Sequence, residues 1–472
     1  GVLEREPTKE EIEYLEKLHQ TKEFKIAVLY GRRRVGKTEL LRRFLEGKKG
    51  TYILCTDESL DENIKEFKSK FYELTGKDYF LKVETESFYD IFKYLIDEIK
   101  DKEATIIIDE FPYLIVLNKG LLSTFQKISD ELLKNTKIML VLCGSSLSIM
   151  ENDVLGYRSP LYGRDINSWK LAPFSFKVVL QLNEDIEEAM KEYFVFGGIP
   201  YYLKFYNKKE DLTTNIKNNF LIKGFNLYDE PLILLRQEFR ESRTYRLILK
   251  YISLGYKSIG EICNATGMDK SNLMKYLSTL EETNIIRHIL PFGMKRKGIY
   301  EINDPLFRFW FKFVYPNKDK LEIGNTAEVE NYVKKEINSF FGLSFEYLIE
   351  ELINEKLFSE IINYSNTRKW WYKDKEIDLI VFNELKTEIL FVECKWSNNI
   401  NAESIVSDLS EKSKSVRWNN ETRTDAFALF AKTFSKKIDS FNGKKVFCYD
   451  LRDIEKRFRE EEKENFAETN RI

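Results

Sequence analysis

"FKIAVLYGRRRVGKTELLRRFL", residues 24–45, passes from an apolar strand through a glycine-bounded loop into an amphipathic helix. Gly31-x-x-x-x-Gly36-Lys37-Thr38 fits the phosphate-binding loop pattern in full, in the strand–loop–helix setting that gives the pattern its meaning. Backbone N–H groups of such a loop cradle phosphates at a helix N-terminus, the lysine reaches the β and γ oxygens, and the threonine hydroxyl ligates Mg²⁺. The residues expected to hold ATP are therefore Gly31, Arg32, Arg33, Arg34, Val35, Gly36, Lys37, Thr38 and Glu39, with Lys37 also acting in hydrolysis. An ordinary basic turn is the alternative that this setting disfavours.

Two further apolar runs extend the pattern. "ATIIIDEF" (104–111) reads as a parallel strand buried on both faces, ending in Asp109-Glu110 where ligands bind in such sheets. Asp109 is expected to hold Mg²⁺ through water, and Glu110 to polarise the attacking water. "KIMLVLCGSS" (137–146) also runs from apolar into small polar residues. Ser145 or Ser146 either senses the γ-phosphate or caps the next helix.

With "IIIDEFPYL", "LCGSSLSIMEN", "PLYGRDINSWKLAPFSF" and "FGGIPYYL" following in order, the first 230 residues or so resemble the archaeal ATPase family, a branch of the STAND class of AAA+-related NTPases. The resemblance implies an ASCE-type parallel sheet over 1–175 and a helical lid over 176–240. It implies a role near the nucleotide base for Arg5 in Arg5-Glu6, and a lid contact through Pro200 of Gly198-Ile199-Pro200. Arg164 matches the family's Gly-Arg and either senses the γ-phosphate or forms a structural ion pair. A switch is also implied, with ADP holding a closed monomer and ATP opening it toward a homo-oligomer.

Bulk properties narrow the classes. At 472 residues the chain exceeds one core, and two to four domains are expected. Its 75 basic and 77 acidic residues nearly cancel, so any nucleic-acid contact must come from a local patch. Five scattered cysteines (55, 143, 263, 394, 448) contain no CxxC pair, which argues against zinc and for a reducing, cytoplasmic setting. Only His19 and His288 occur, which excludes histidine triads. No run approaches eighteen apolar residues, so no membrane partner is expected.

From about residue 241 the pattern becomes three helices and a hairpin, the arrangement of a winged helix-turn-helix over 241–318. "RTYRLILKYISLG", "SIGEICNATG" and "DKSNLMKYLSTLEETN" (269–284) supply the helices, the last capped by Asp269 or Ser271. In a DNA-binding version Lys270, Asn272 and Lys275 would read bases, while Lys295, Arg296 and Lys297 of the wing would hold phosphates. The alternative is a packing module that touches no DNA.

The remaining span, 319–472, reads as helix–strand–strand–strand–helix–strand, the order of a restriction-endonuclease core. "FFGLSFEYLIEELINEKL" (340–357) is an amphipathic helix with Glu346 at the edge of its apolar stripe. Asp378 lies in "KEIDLIVFN", and Glu393-x-Lys395 in "EILFVECKW". Glu393 and Lys395 share one strand face, so paired strands can give a divalent ion the oxygens of Asp378 and Glu393, with Glu346 as a further ligand. Lys395 would orient or help deprotonate the attacking water. Carboxylates without His or Cys suit Mg²⁺ or Mn²⁺. This cluster resembles the PD-(D/E)xK nuclease superfamily, although Ile377 stands where its proline would be. The region as a whole resembles a domain of unknown function that follows such ATPases.

The expectation is an α/β multidomain protein in which an ATP-binding and ATP-hydrolysing switch controls a Mg²⁺-dependent DNA nuclease. The alternative is a nucleotide-controlled DNA-binding or signalling module with a silent nuclease fold. A motor or chaperone is disfavoured, since no pore loop is identifiable.

Overall fold

The computed structural model describes residues 9–163, 166–296, 298–361, 363–364 and 366–469. The chain divides into two compact units, Gly1–Phe174 with Ile199–Lys204, and Ser175–Gly198 with Phe205–Ile472. Of the expected lid, residues 199–204 thus group with the first unit and the remainder with the second.

In the first unit, strands β1 (Lys25–Tyr30), β2 (Gly50–Leu54), β3 (Ala104–Asp109), β4 (Ile138–Gly144) and β5 (Ile166–Lys170) form one parallel sheet in the order β2-β3-β4-β1-β5. Every residue of β3 and β4 is buried, as their unbroken apolar runs require in a sheet covered on both faces. On one face the helix Lys37–Leu45 packs Leu40, Leu41 and Phe44 against Ala27, Leu29, Met139 and Val141. On the other, Phe67, Phe71, Phe88, Phe92 and Phe125 interlock edge to face. Ser59 and Ser87 cap the two helices that carry most of these rings, accepting from the N–H groups of Glu62 and Asp90. β4 lies between β1 and β3, so the loop after β1, the serines after β4 and the acids ending β3 emerge at one sheet end.

The second unit holds the expected winged-helix elements: helices Ser242–Ser253, Ile259–Thr266 and Lys270–Glu282, then the antiparallel hairpin of β6 (Ile286–Ile289) and β7 (Ile299–Ile302). Asp269, rather than Ser271, caps the third helix by accepting from Asn272 N–H at 3.1 Å. Lys270, Asn272 and Lys275 are exposed on that helix, as are Lys295 and Arg296 in the hairpin loop. Lys297 lies outside the described residues.

The same unit contains a six-stranded mixed sheet. β8 (Asn366–Tyr372), β9 (Lys375–Asn383) and β10 (Glu388–Lys395) form an antiparallel meander. The helix Ala402–Ser413 then crosses to β12 (Thr424–Ala431), which runs parallel to β10. β15 (Lys444–Tyr449) lies parallel to β12, and β14 (Ser440–Phe441) completes the order β14-β15-β12-β10-β9-β8. The short strands β11 (Ile400–Asn401) and β13 (Phe434–Lys436) pair separately. The helix expected over 340–357 is the second half of a 29-residue helix, Thr326–Asn354, and packs against β10. Among the described residues, no helix is long and apolar enough to cross a membrane.

Candidate functional site

The phosphate-binding loop is shaped by two glycines. Gly36 sits at φ 94°, a left-handed conformation that costs a residue with a Cβ, and opens the helix Lys37–Leu45. A Cβ on Gly31 would stand 2.5 Å from the Leu171 carbonyl oxygen, because the loop passes directly beneath the chain leaving β5. Lys37 is only 6% exposed and donates from Nζ to the carbonyls of Gly31 (2.7 Å) and Arg32 (2.8 Å). Burial pushes its ammonium pKa down, opposed by Cys143, Glu110 and Asp109.

The acids at the end of β3 have separate company. Asp109 Oδ2 accepts from Thr38 Oγ1 at 3.2 Å and from the Tyr52 hydroxyl, while Oδ1 accepts from Glu110 N–H at 2.8 Å. Glu110 leaves the strand at φ 54°, so β3 ends at Asp109 instead of running to 111. Ser145 Oγ donates to Glu110 Oε1 at 2.8 Å. Ser146 opens the following turn, its hydroxyl accepting from Ile149 N–H at 3.5 Å. Burial raises the Glu110 pKa, while Ser145 and then Arg33 oppose the rise. Thr38, Asp109, Glu110 and Ser145 thus meet around Lys37. The Thr38 hydroxyl and Asp109 carboxylate are hard oxygen donors of the type Mg²⁺ prefers.

Pro200 opens the short helix Pro200–Leu203, and the next residue, Tyr201, carries the Arg34 guanidinium 4.5 Å over its ring. Arg5 and Arg164 lie outside the described residues. Tyr52 lies in no motif, while Tyr113 and Tyr201 stand inside "IIIDEFPYL" and "FGGIPYYL" at positions to which those motifs assign no role. Tyr52 reaches Asp109 only because β2 lies beside β3.

A second cluster gathers on the mixed sheet. Val392 pairs with Leu379 as the last bridge between β10 and β9, so Glu393 and Asp378 are the next residues along as the strands part. The Asp378 carboxylate fills the gap, accepting from Cys394 N–H at 2.9 Å. Glu393 is 4% exposed and lies between two lysines: Lys412 Nζ is 3.3 Å from Oε1 and Lys395 Nζ 3.8 Å from Oε2. Lys412, on the crossover helix, has no signal in the sequence, since only the packing of that helix on the sheet brings it in. Glu346, on the long helix, lies within electrostatic reach of Asp378. Burial, and then the charge of Asp378, push the carboxyl pKa of both Glu346 and Glu393 upward.

Glu346, Asp378 and Glu393 therefore share one neighbourhood. Three carboxylate oxygens all within 4.8 Å of one another occur, among the described residues, at Asp185, Glu187 and Glu188 instead. That triplet has a structural explanation. Asp185 caps the helix Ile186–Phe196 by accepting from Glu188 N–H, and Glu187 pairs with Lys432.

Residues 5–205 match an ATPase domain found predominantly in Archaea. Residues 243–288 match bacterial regulatory proteins of the arsR family, and 310–407 match archaeal and bacterial proteins of unknown function. An uncharacterised protein of Methanocaldococcus jannaschii is 34% identical over 456 residues, covering 94% of this chain and 98% of its own. A second uncharacterised protein of that organism is 50% identical over 93 residues, 20% of this chain and 89% of its own. Among solved structures, a Walker-type ATPase of Pyrococcus abyssi aligns with a TM-score of 0.48 and 24% identity, over 66% of this chain and 100% of that one.

Proposed function

The chain belongs to the family of its full-length M. jannaschii relative and carries an archaeal ATPase domain over residues 5–205, and on that premise we propose that ATP binding and hydrolysis there govern a metal-dependent nuclease on the mixed sheet. In the ATPase, Lys37 binds the β and γ oxygens, Thr38 and Asp109 hold Mg²⁺, and Glu110 takes the proton of the attacking water. Ser145 fixes the Glu110 carboxylate at 2.8 Å. The winged helix presents Lys270, Asn272 and Lys275 on an exposed helix face, a suitable surface for DNA.

On the mixed sheet, a bound Mg²⁺ or Mn²⁺ would supply charge to offset that developing on the phosphate and acidity for its water. Asp378 and Glu393 would hold it, with Glu346 behind Asp378. Lys395, on the same strand face as Glu393, would orient the water that attacks phosphorus. The observation that carries this reading is the crowding of three carboxylates into one buried neighbourhood, where the charge of Asp378 adds to burial in raising the cost of ionising Glu346 and Glu393. A divalent cation relieves that cost.

A second reading is a nucleotide-controlled DNA-binding module whose nuclease fold is silent. It is favoured by Glu393 being already clasped by Lys395 and Lys412, and by the three carboxylates standing wider than single-ion spacing. Cleavage of supercoiled, linear and single-stranded DNA in Mg²⁺ or Mn²⁺, with ATP, ADP or neither, separates the two. Cleavage that disappears in Asp378→Ala and changes in Lys37→Ala is the expected result. DNA retained but left intact in every condition, by protein that binds ATP, would reject the nuclease.

A further inference from the structure

Three consecutive arginines, Arg32–Arg34, occupy the phosphate-binding loop, more positive charge than a cradle of backbone N–H groups requires. Their side chains have different surroundings. Arg34, at φ 75°, lies over the Tyr201 ring. Arg33 reaches toward the end of β3 and donates from Nη2 to the Tyr113 hydroxyl at 3.1 Å. Tyr113 is itself fixed, its N–H donating to the Glu110 carbonyl at 3.0 Å. The guanidinium lies within electrostatic reach of both working groups. It opposes the effect of burial on Glu110, after Ser145, and adds to the effect of burial on Lys37.

We infer that Arg33 is the transition-state arginine of this ATPase, supplied in cis by the phosphate-binding loop and aimed by Tyr113. This rests on the ATPase reading and is independent of the nuclease. As the oxygen of the attacking water bonds to the γ-phosphorus, its proton passes to Glu110. The bond from that phosphorus to the β–γ bridging oxygen breaks, leaving ADP and inorganic phosphate. Negative charge on the γ and bridging oxygens is what a planar guanidinium, with its fixed fork of donors, stabilises and a lysine does not reproduce. An arginine already in the loop needs no second copy of the chain. Turnover per molecule is therefore independent of protein concentration.

The test compares wild type with Arg33→Ala, Arg33→Lys and Tyr113→Phe in the full chain, using a fluorescent ADP with and without aluminium fluoride. Arg33→Ala, compared at saturating nucleotide, should lose the slowing of ADP release by aluminium fluoride and turn over roughly 10³-fold more slowly. Arg33→Lys should fail to restore either property. Tyr113→Phe should retain ADP affinity and lose part of the aluminium fluoride effect. Arg33→Ala that still traps ADP with aluminium fluoride overturns the inference. So does a turnover number that climbs with protein concentration, which would assign the arginine to another copy. A wild type that binds no ADP overturns the ATPase reading, and the inference with it.

Discussion

The Asp109 carboxylate shows how much one side chain is asked to do. Its Oδ2 accepts from both Thr38 and Tyr52, and its Oδ1 from the next residue's N–H. If Thr38 turns its hydroxyl to a metal ion, Tyr52 still fixes the carboxylate. Tyr52→Phe is expected to raise the Mg²⁺ concentration for half-maximal ATP turnover several-fold while leaving metal-free ADP binding unchanged, measurable by Mg²⁺ titration. An unchanged titration would make the tyrosine merely structural. A second residue-scale expectation concerns Glu351, whose carboxylate accepts from the Tyr193 hydroxyl at 2.9 and 3.0 Å. Burial, and then Glu355, push its pKa from 4.5 to about 7. The folded state thus holds this proton more tightly than the unfolded chain. Its contribution to stability is full below 4.5 and lost as pH rises through about 7. Glu351→Gln keeps a neutral partner for Tyr193, so it should gain roughly 1–3 kcal/mol over wild type above that window and nothing below it. Urea midpoints across the range decide this, and a gap that does not vary with pH would contradict it.

At the scale of elements, local chemistry and tertiary packing agree closely. Asp269, Ser258 and Gly267 punctuate the winged-helix segment, the first two capping helix starts and Gly267 closing one helix at φ 73°. Replacing Asp269 with Ala should cost about 1 kcal/mol, the usual worth of such a cap, read from denaturant midpoints. The aromatic layer behind β3 is dearer. Phe92 touches Phe67, Phe71 and Phe125 and is fully buried. Phe92→Ala is expected to cost about 3–5 kcal/mol by the same measurement, through lost burial and the cavity left behind. A cost under about 1 kcal/mol would mean that the layer collapses to fill the gap.

At the scale of the molecule, the second unit joins two segments that the sequence presents as separate domains. Phe292, in the winged-helix hairpin loop, is buried beside Phe382 and Trp418 of the mixed-sheet segment, and its N–H donates to the Lys369 carbonyl at 2.7 Å. Glu301 of β7 pairs with Lys257 and with the buried Lys369 of β8. Burial alone would raise the Glu301 pKa, but Lys369 and Lys257 outweigh it and hold the carboxyl low. Arg287 of β6 reaches Glu350 on the long helix at 3.2 Å. Hairpin and sheet should therefore open together. Hydrogen exchange on Phe292→Ala is expected to show lost protection in β6, β7 and β8 at once, and loss confined to the hairpin would refute a shared unit.

The loop Gly31–Thr38, the acids Asp109 and Glu110, and the pair Glu393 and Lys395 were legible because local geometry dictates them. A phosphate cradle needs its glycines at set spacing, and residues two apart in a strand share a face. The helices of the winged segment were legible for the same reason, through their 3.6-residue apolar repeat and their caps. Adjacency between elements distant in the chain obeys no such spacing. That Tyr52 donates to Asp109, that Tyr113 holds Arg33 and that Lys412 meets Glu393 depends on strand order and helix docking. Spacing made the candidate sites visible; only the packed structure decided which side chains surround them, because burial and charge act through space and not along the chain.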